Sequence, residues 1–283
     1  PCDETVLWLL GPQGVARFEE LAGRAQGVHT RPSGLAFEQG GYYLMSAGAQ
    51  GQITAIVDCG PLGYRSIAAH GHADALSLVL TVQGRPLLVD PGTYTYVAKD
   101  PYRNYFRSTR AHNTVEVDGL DQSEMLGPFL WGRHANAFVD QWTHDDQGRS
   151  LTGWHDGYQG LPDPVIHRRT VRAHACEPVV TITDQIECRG AHEVALHFHL
   201  DPSWGIQTLG GNRFEVERDG IAVRLDVDES LTVDPQRGCE DPIAGWVSPA
   251  YDVKVPAVTL RCSSRIQGTR TFVTRVQWVG RTG

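Results

Sequence analysis

Lysine is nearly missing from this sequence. Lys99 and Lys254 are its only two, and every other cation is arginine. Arginine suits bidentate recognition of carboxylate or sulfate, though a GC-rich coding sequence produces the same bias. A basic excess is also missing: 25 Lys and Arg face 33 Asp and Glu, a net charge of -8. That excludes general nucleic-acid binding, which needs a basic surface. A polyanionic ligand then requires arginines gathered locally. The six cysteines, Cys2, Cys59, Cys176, Cys188, Cys239 and Cys262, form no C-x-x-C pair, which argues against a cysteine-based zinc site. Cys176 and Cys188 are spaced to face each other across a hairpin. No run reaches the ~20 apolar residues of a membrane span. No signal-peptide pattern is visible, and the sequence opens at Pro1 without Met. It is therefore read as a piece of a longer or processed protein, and its start does not report localisation. Nucleophile-elbow, Walker and dinucleotide fingerprints are all absent, as are internal repeats.

What is present is enough apolar residue for a substantial core, 41% of 283 positions. Residues 1–28 read as helical. Asp3 can cap the apolar run Val6 to Leu10, Gly11-Pro12 stops it, and Val15, Phe18, Leu21 and Ala22 share one face of a second helix. From about residue 34 the pattern turns to strands. Gly41–Met45 and Gln52–Val57 are β-prone, Leu76, Leu78, Leu80 and Val82 alternate, Pro86–Val89 returns after a turn at Gln83-Gly84, and Thr114–Val117 alternates up to a turn at Asp118-Gly119. Further strands are expected at 165–173, 178–186, 193–200, 212–217, 221–226, 255–262 and 270–278. Residues 145–148 and 157–164 read as surface loops. The expected fold is all-β, a large antiparallel β-sandwich over 29–283 with a short helical segment over 1–28.

The chemistry concentrates between residues 70 and 113. His70 and His72, at i and i+2, share one side of a strand or a tight loop. With Asp90 and His112, His72 makes a plausible zinc donor set. Spacing alone works against it. A regular hairpin at Gln83-Gly84 puts Asp90 opposite Ser77 and leaves His72 about 17 Å away, so the chain near Gly71 must fold back. The alternative is two hydrogen-bonded, partly buried histidines beside a turn aspartate. His197-Phe198-His199 repeats the i, i+2 pattern in an alternating strand, where a packing role is favoured. Tyr94, Tyr96, Tyr102 and Tyr105 with Arg103, Arg107 and Arg110 form an aromatic and cationic segment suited to sugar faces and acidic groups, or simply to packing.

Three ordered blocks carry a resemblance. They are Ala69-His-Gly-His-Ala-Asp-Ala-Leu76, Leu88-Val-Asp-Pro-Gly-Thr-Tyr-Thr-Tyr96, and Tyr105-Phe-Arg-Ser-Thr-Arg-Ala-His-Asn-Thr-Val-Glu-Val-Asp-Gly119. Softer echoes follow at Ile166-His-Arg-Arg-Thr170 and Gly245-Trp-Val-Ser-Pro249. The sequence resembles the heparinase II/III-like polysaccharide lyases over roughly 30–283. The resemblance implies the C-terminal β-sandwich of such a lyase, with the first helices similar to the tail of its (α/α) toroid. It implies β-elimination on a uronate-containing acidic polysaccharide or oligosaccharide. It implies a structural zinc held by His72, Asp90 and His112. His70, Tyr96 and Tyr102 become the catalytic candidates, and Arg103, Arg107, Arg110 and Tyr105 the substrate-binding ones. The remaining catalytic residues of the family come from the toroid, so this chain alone is expected to be inactive or feeble. A bacterial periplasmic or secreted location follows from the resemblance, with the cytoplasm and a homodimer left open. The competing reading is a carbohydrate-binding domain that keeps the fold and metal without cleavage. A metal-dependent hydrolase would need a carboxylate base near the metal, for which Asp74 is the only neighbour in sequence. A glycosidase would need two opposed carboxylates, and none pair in the sequence.

Overall fold

A computed structural model describes residues 4–24, 33–64 and 67–281. The chain divides into two units, residues 1–32 and 33–283. The expected boundary after residue 28 and the expected cap Asp3 lie outside the described residues. In the first unit, helix α1 (Glu4–Arg24) is interrupted at Gly11, whose φ of 68° is not helical. Pro12 follows and cannot supply a backbone donor, so the two helical pieces meet at a kink.

The second unit is strand-rich and antiparallel. A five-stranded sheet runs in chain order through Gly34–Phe37, Tyr42–Ala47, Ile53–Asp58, Leu78–Val82 and Arg85–Leu88. Its alternate residues Tyr43, Met45, Ile53, Ala55, Val57, Leu78, Leu80 and Val82 are buried, as the period of two requires. The turn at Gln83-Gly84 takes φ of 51° and 75°, the left-handed pair that matches strand twist. An eight-stranded sheet holds, side by side, Gly205–Gly210, Arg213–Arg218, Ile221–Asp226, Arg270–Arg281, Val179–Glu187, Ile166–His174, Gly148–His155 and Ala137–Asp145. A four-stranded sheet holds Thr232–Arg237, Val258–Gln267, Ala191–His199 and Val115–Val117. Leu88 bridges Leu200, and Val89 N–H donates to His199 O at 2.9 Å, which joins the first and third sheets. Side chains from all three sheets, among them Met45, Leu80, Ile182, Phe272, Val194 and Leu260, enter one buried cluster. This is the expected sandwich.

Several expectations need correction. Ala137–Asp145 and Gly148–His155 are strands that the sequence pattern hides. The first is an edge strand with mostly exposed residues, and the second buries Arg149, Ser150 and His155, so neither alternates in hydrophobicity. The expected strand 255–262 is two strands, Val253–Pro256 and Val258–Gln267. The loop at 157–164 is not all surface: Tyr158 is buried and donates to Leu120 O at 3.0 Å. The five described cysteines are free. Cys176 sits in the turn before Val179–Glu187 and Cys188 just beyond its far end, so the whole strand separates them.

The sandwich interior is not purely apolar. Arg169 and Asp184, 1% and 0% exposed, form a fork with Nε to Oδ1 at 2.7 Å and Nη2 to Oδ2 at 3.1 Å. Arg169 Nη1 donates to Leu76 O at 2.8 Å and to Asn113 O at 2.5 Å. His167 Nε2 contacts Asp184 Oδ1 at 2.7 Å, and His155 Nε2 contacts His167 Nδ1 at 3.2 Å. Burial alone would raise the Asp184 carboxyl, but Arg169 and His167 outweigh it and hold it at about 2. A depressed carboxylate contributes stability at pH values above its unfolded value near 3.9, and that contribution fades as pH falls toward the folded value. Asp184→Ala strands a buried guanidinium and is expected to cost about 3–5 kcal/mol in urea unfolding at pH 7. The gap between variant and wild type should narrow as pH falls from about 4 toward 2, because protonation removes the same charge from the wild type.

Candidate functional site

The fold-back that the sequence demands is built from local backbone geometry. Ala68 and Leu76 take φ of 47° and 60°, and Ser77 N–H donates to Asp74 O at 2.8 Å. Gly71 passes so close to Leu62 that a Cβ there would stand 1.8 Å from the Leu62 carbonyl oxygen. The chain therefore leaves the strand direction before residue 77. The hairpin also bulges, pairing Leu80 with Leu88 instead of Leu87. These departures close the gap that a regular hairpin would leave.

His72, Asp74, Asp90 and His112 each turn one ligand atom into a common point, all within 4.8 Å of one another. His112 Nδ1 lies 2.9 Å from Asp90 Oδ2, and the His72 and His112 rings are 5.1 Å apart. His112 follows a short 3-10 turn, Thr109–Ala111, and is 1% exposed. Asn113 behind it spends all of its side chain on backbone. Its Nδ2 donates to Leu78 O at 2.8 Å and Val89 O at 2.9 Å, and its Oδ1 accepts from His199 N–H at 2.7 Å. One residue thus ties two strands and the segment that follows a third together, beside both His112 and Asp90.

The donor set fits a borderline metal. His112 Nε2 is buried with no partner among the described residues, which is costly unless something else meets it. Two imidazoles and two carboxylates around one point make an N2O2 set that suits zinc. Asp74 joins the three expected candidate ligands. Its signal was the i, i+2 spacing from His72, the same relation that singled out His70 and His72.

Burial and the charges of its members set the electrostatics of the cluster. Burial pushes the Asp74 carboxyl up to about 7 and Asp58 up to about 6. Burial and the neighbouring His112 cation push His72 down to about 3. Burial would lower His112, but Asp90 and then Asp74 overcome it and raise it to about 9. Asp90 is held at about 2 because His112 outweighs its burial.

A cavity of about 460 Å³ opens over these groups, lined by Tyr42, Asp58, Tyr64, His70, His72, Asp74 and Asp90 among others. His70 is exposed, with its ring edge-on to Tyr96 at 5.3 Å and near Phe129 at 6.0 Å. Tyr96 stacks on Tyr251 at 5.9 Å. The structure therefore brings together His70, Tyr96 and the metal-type cluster, and adds Phe129 and Tyr251, which the sequence did not single out.

The other candidates are placed differently. Residues 101–107 form helix α2 (Pro101–Arg107), which the sequence analysis missed. Asp100 caps it, accepting from Tyr102 N–H at 2.9 Å, and Pro101 starts it. Tyr102 is 8% exposed and donates to Glu240 at 2.5 Å, with Lys254 Nζ 3.7 Å over its ring. Burial, and then Glu240, push its hydroxyl well above the ordinary phenol range, in the opposite direction from a base. Arg103 and Arg107, at i and i+4, are fully buried. Both donate to Pro128 O, Arg103 also to Ala69 O at 3.4 Å and Arg107 to Gly127 O at 3.0 Å. Arg110 donates to Ile243 O at 2.8 Å, and Tyr105 is buried. His197 and His199 are buried, as a packing role requires. A carboxylate does accompany them, however: Glu116 Oε2 lies 3.5 Å from His197 Nε2.

The family model described as Heparinase II/III-like, C-terminal, matches residues 29–279. A heparinase III structure superposes with a TM-score of 0.74 at 18% identity, covering 95% of this chain and 40% of that one. The heparan sulfate lyase HepC from Pedobacter heparinus gives 0.72 at 18%, covering 95% and 42%. A further heparinase III structure gives 0.67 at 17%, covering 88% and 37%. The chain thus spans about two fifths of the length of these structures, with 40% in the first case. At this identity the likeness carries the fold. Comparison with curated proteins by sequence gives no match.

Zinc binding at the cluster must displace the proton that holds His112 charged. Calorimetric titration at pH 7 in buffers of different ionisation heat is expected to show about one to two protons released per zinc at this cluster, one from His112 and a fraction from Asp74, with affinity falling at least about tenfold for each pH unit lowered. His112→Ala should remove that event. Titration curves that superimpose for variant and wild type would contradict the assignment.

Proposed function

Because the chain belongs to the heparinase II/III-like family, as its C-terminal domain, we propose that it is the β-sandwich part of a polysaccharide lyase acting on a uronate-containing acidic polysaccharide. The observation that carries this reading is the single cavity that joins the His72, Asp74, Asp90 and His112 cluster to an exposed His70. Polymer cleavage by β-elimination needs a base for the proton α to the uronate carboxylate. It also needs neutralisation of that carboxylate and a proton for the departing glycosidic oxygen. His70 reaches the sugar from the rim and meets the carboxylate or carries a proton. Tyr96, its ring edge against His70, presents a hydroxyl and an apolar face to the same sugar. Zinc bound by His72, Asp90 and His112, with Asp74 beside them, supplies a structural tie that fixes the cavity floor.

Buried Tyr102, Arg103 and Arg107 act on the wall and not on the sugar. The two guanidiniums hold the carbonyls of Gly127 and Pro128, and with them the segment that presents Phe129. A helical domain preceding this one in the whole protein provides the other catalytic groups. A polymeric substrate sets the protein in the periplasm or outside the cell. A second reading, sugar binding without cleavage, is favoured by the exposed rings of Tyr96, Phe129 and Tyr251, which offer stacking faces.

Ultraviolet absorbance from unsaturated uronates, followed over a panel of acidic polysaccharides, separates the readings. The longer chain, with its preceding domain, should produce the signal, and residues 1–283 alone should not. In the longer chain His70→Ala should lower kcat by about 10²–10⁴ with an unchanged melting temperature, since the ring is exposed. Robust cleavage by residues 1–283 alone would overturn the split-site part. Binding without cleavage by either chain would favour the second reading.

A further inference from the structure

A second convergence of metal-ligating side chains lies outside the cavity just described, where two connections of the sandwich meet the start of a strand. Asp163 is on the connection before Ile166–His174. Cys188 ends the strand Val179–Glu187, and His192 begins the facing part of Ala191–His199. One ligand atom from each falls within 4.8 Å of the others. They are a carboxylate oxygen, a thiol sulfur and an imidazole nitrogen.

Each ligand is already aimed. His192 is 7% exposed, and its Nδ1 donates to Asp118 Oδ2 at 2.7 Å. Asp118 is itself held, because its Oδ1 accepts from Glu193 N–H at 2.9 Å. A carboxylate behind the far nitrogen is the arrangement that fixes a ligating imidazole and raises its basicity. It turns His192 Nε2 toward Asp163 Oδ2 at 3.0 Å. An imidazole lone pair and a carboxylate oxygen both accept, so they face each other at that distance only across a proton or a cation. Asp163 Oδ2 is oriented by Gly190 N–H at 2.5 Å and Arg189 N–H at 3.2 Å. Cys188 Sγ stands 3.2 Å from Gly268 O and 3.7 Å from Gly190 O, contacts of a thiol that carries its proton. Cys188 and Asp163 are partly exposed, so an ion can enter.

We infer that Asp163, Cys188 and His192 form a second metal site, oriented by Asp118 and suited to zinc or cobalt. Thiolate and imidazole select such borderline ions over magnesium or calcium. Binding releases the Cys188 thiol proton, and the His192 Nε2 proton where it is present, to solvent. The ion then ties the 157–164 connection to the hairpin turn at 188–190, two segments otherwise joined here by hydrogen bonds. Three protein ligands leave a position for water.

Cobalt(II) titration of the whole chain tests this, because the His72, Asp74, Asp90 and His112 cluster contains no sulfur. A thiolate-to-cobalt charge-transfer band in the near ultraviolet should grow and level off by two equivalents, one for each cluster, and by one equivalent in His112→Ala. It should vanish in Cys188→Ser, weaken at least tenfold in affinity in His192→Gln, and persist in His112→Ala, Cys176→Ser and Cys239→Ser. No band in the wild type, or a band that survives Cys188→Ser, would overturn the site and leave His192 as an imidazolium between two carboxylates. If Cys188→Ser does not fold, alkylation of wild-type Cys188 read by peptide mass spectrometry decides. Cobalt should slow it at least tenfold, and an unchanged rate would overturn the proposal.

Discussion

One buried guanidinium, that of Arg169, holds both the sandwich and its candidate site in place. A charge with 1% exposure is tolerated only if it is neutralised and its remaining donors are met. Asp184 neutralises it through a two-point fork, and the carbonyls of Leu76 and Asn113 take the Nη1 donors. Those two carbonyls belong to the segments that carry His72 with Asp74, and His112. The strand pair Ile166–His174 and Val179–Glu187 is therefore wired to the place where the chain leaves regular sheet geometry. Leu76, with a positive φ of 60°, sits at that departure, and the bond from Arg169 helps to hold it there.

From this anchor the site follows by short steps. Asn113 converts the position of one loop into the spacing of two strands and the segment that follows a third, and its neighbours on the chain or across the sheet are His112, Val89 and His199. Asp90 is one residue past Val89. Backbone hydrogen bonds thus position the cluster, and the His112–Asp90 pair adds its own attraction. That matters because two carboxylates, Asp58 and Asp74, are pushed up by burial and resist ionising without a cation nearby. The α2 arginines do for the rim what Arg169 does for the floor. Their guanidiniums meet carbonyls at residues 69, 127 and 128, and so fix the loops on either side of His70 and Phe129.

Strands with clean alternation, such as Leu78–Val82 and Ile221–Asp226, were legible because one face of each is buried. Ala137–Asp145 was not, because an edge strand that is mostly exposed, with Ala137 and Trp142 packed on the core, has no period to read. The meeting of His72 with Asp90 was legible only through the resemblance of ordered blocks. A bulge and a single left-handed Leu76 leave no trace in hydropathy, and without them the spacing argues the other way. Asp100-Pro101 did announce helix α2, yet the density of Tyr and Arg behind it suggested a ligand surface. Sequence cannot tell a guanidinium aimed at a carbonyl from one aimed at solvent, which is why Arg103 and Arg107 read as sugar contacts. No spacing in the sequence joins His155 to His167, or His167 to Asp184, because the three lie on three different strands.

The central claim is that His72, Asp90 and His112, with Asp74, hold one zinc ion beneath the cavity that contains His70. Anomalous diffraction from crystals of the purified chain, collected on both sides of the zinc absorption edge, tests it most directly. A difference peak is expected among the ligand atoms of these residues, at zinc-like bond lengths of about 2.0–2.2 Å. Ordered side chains with no anomalous peak between them, in crystals grown with zinc, would contradict it.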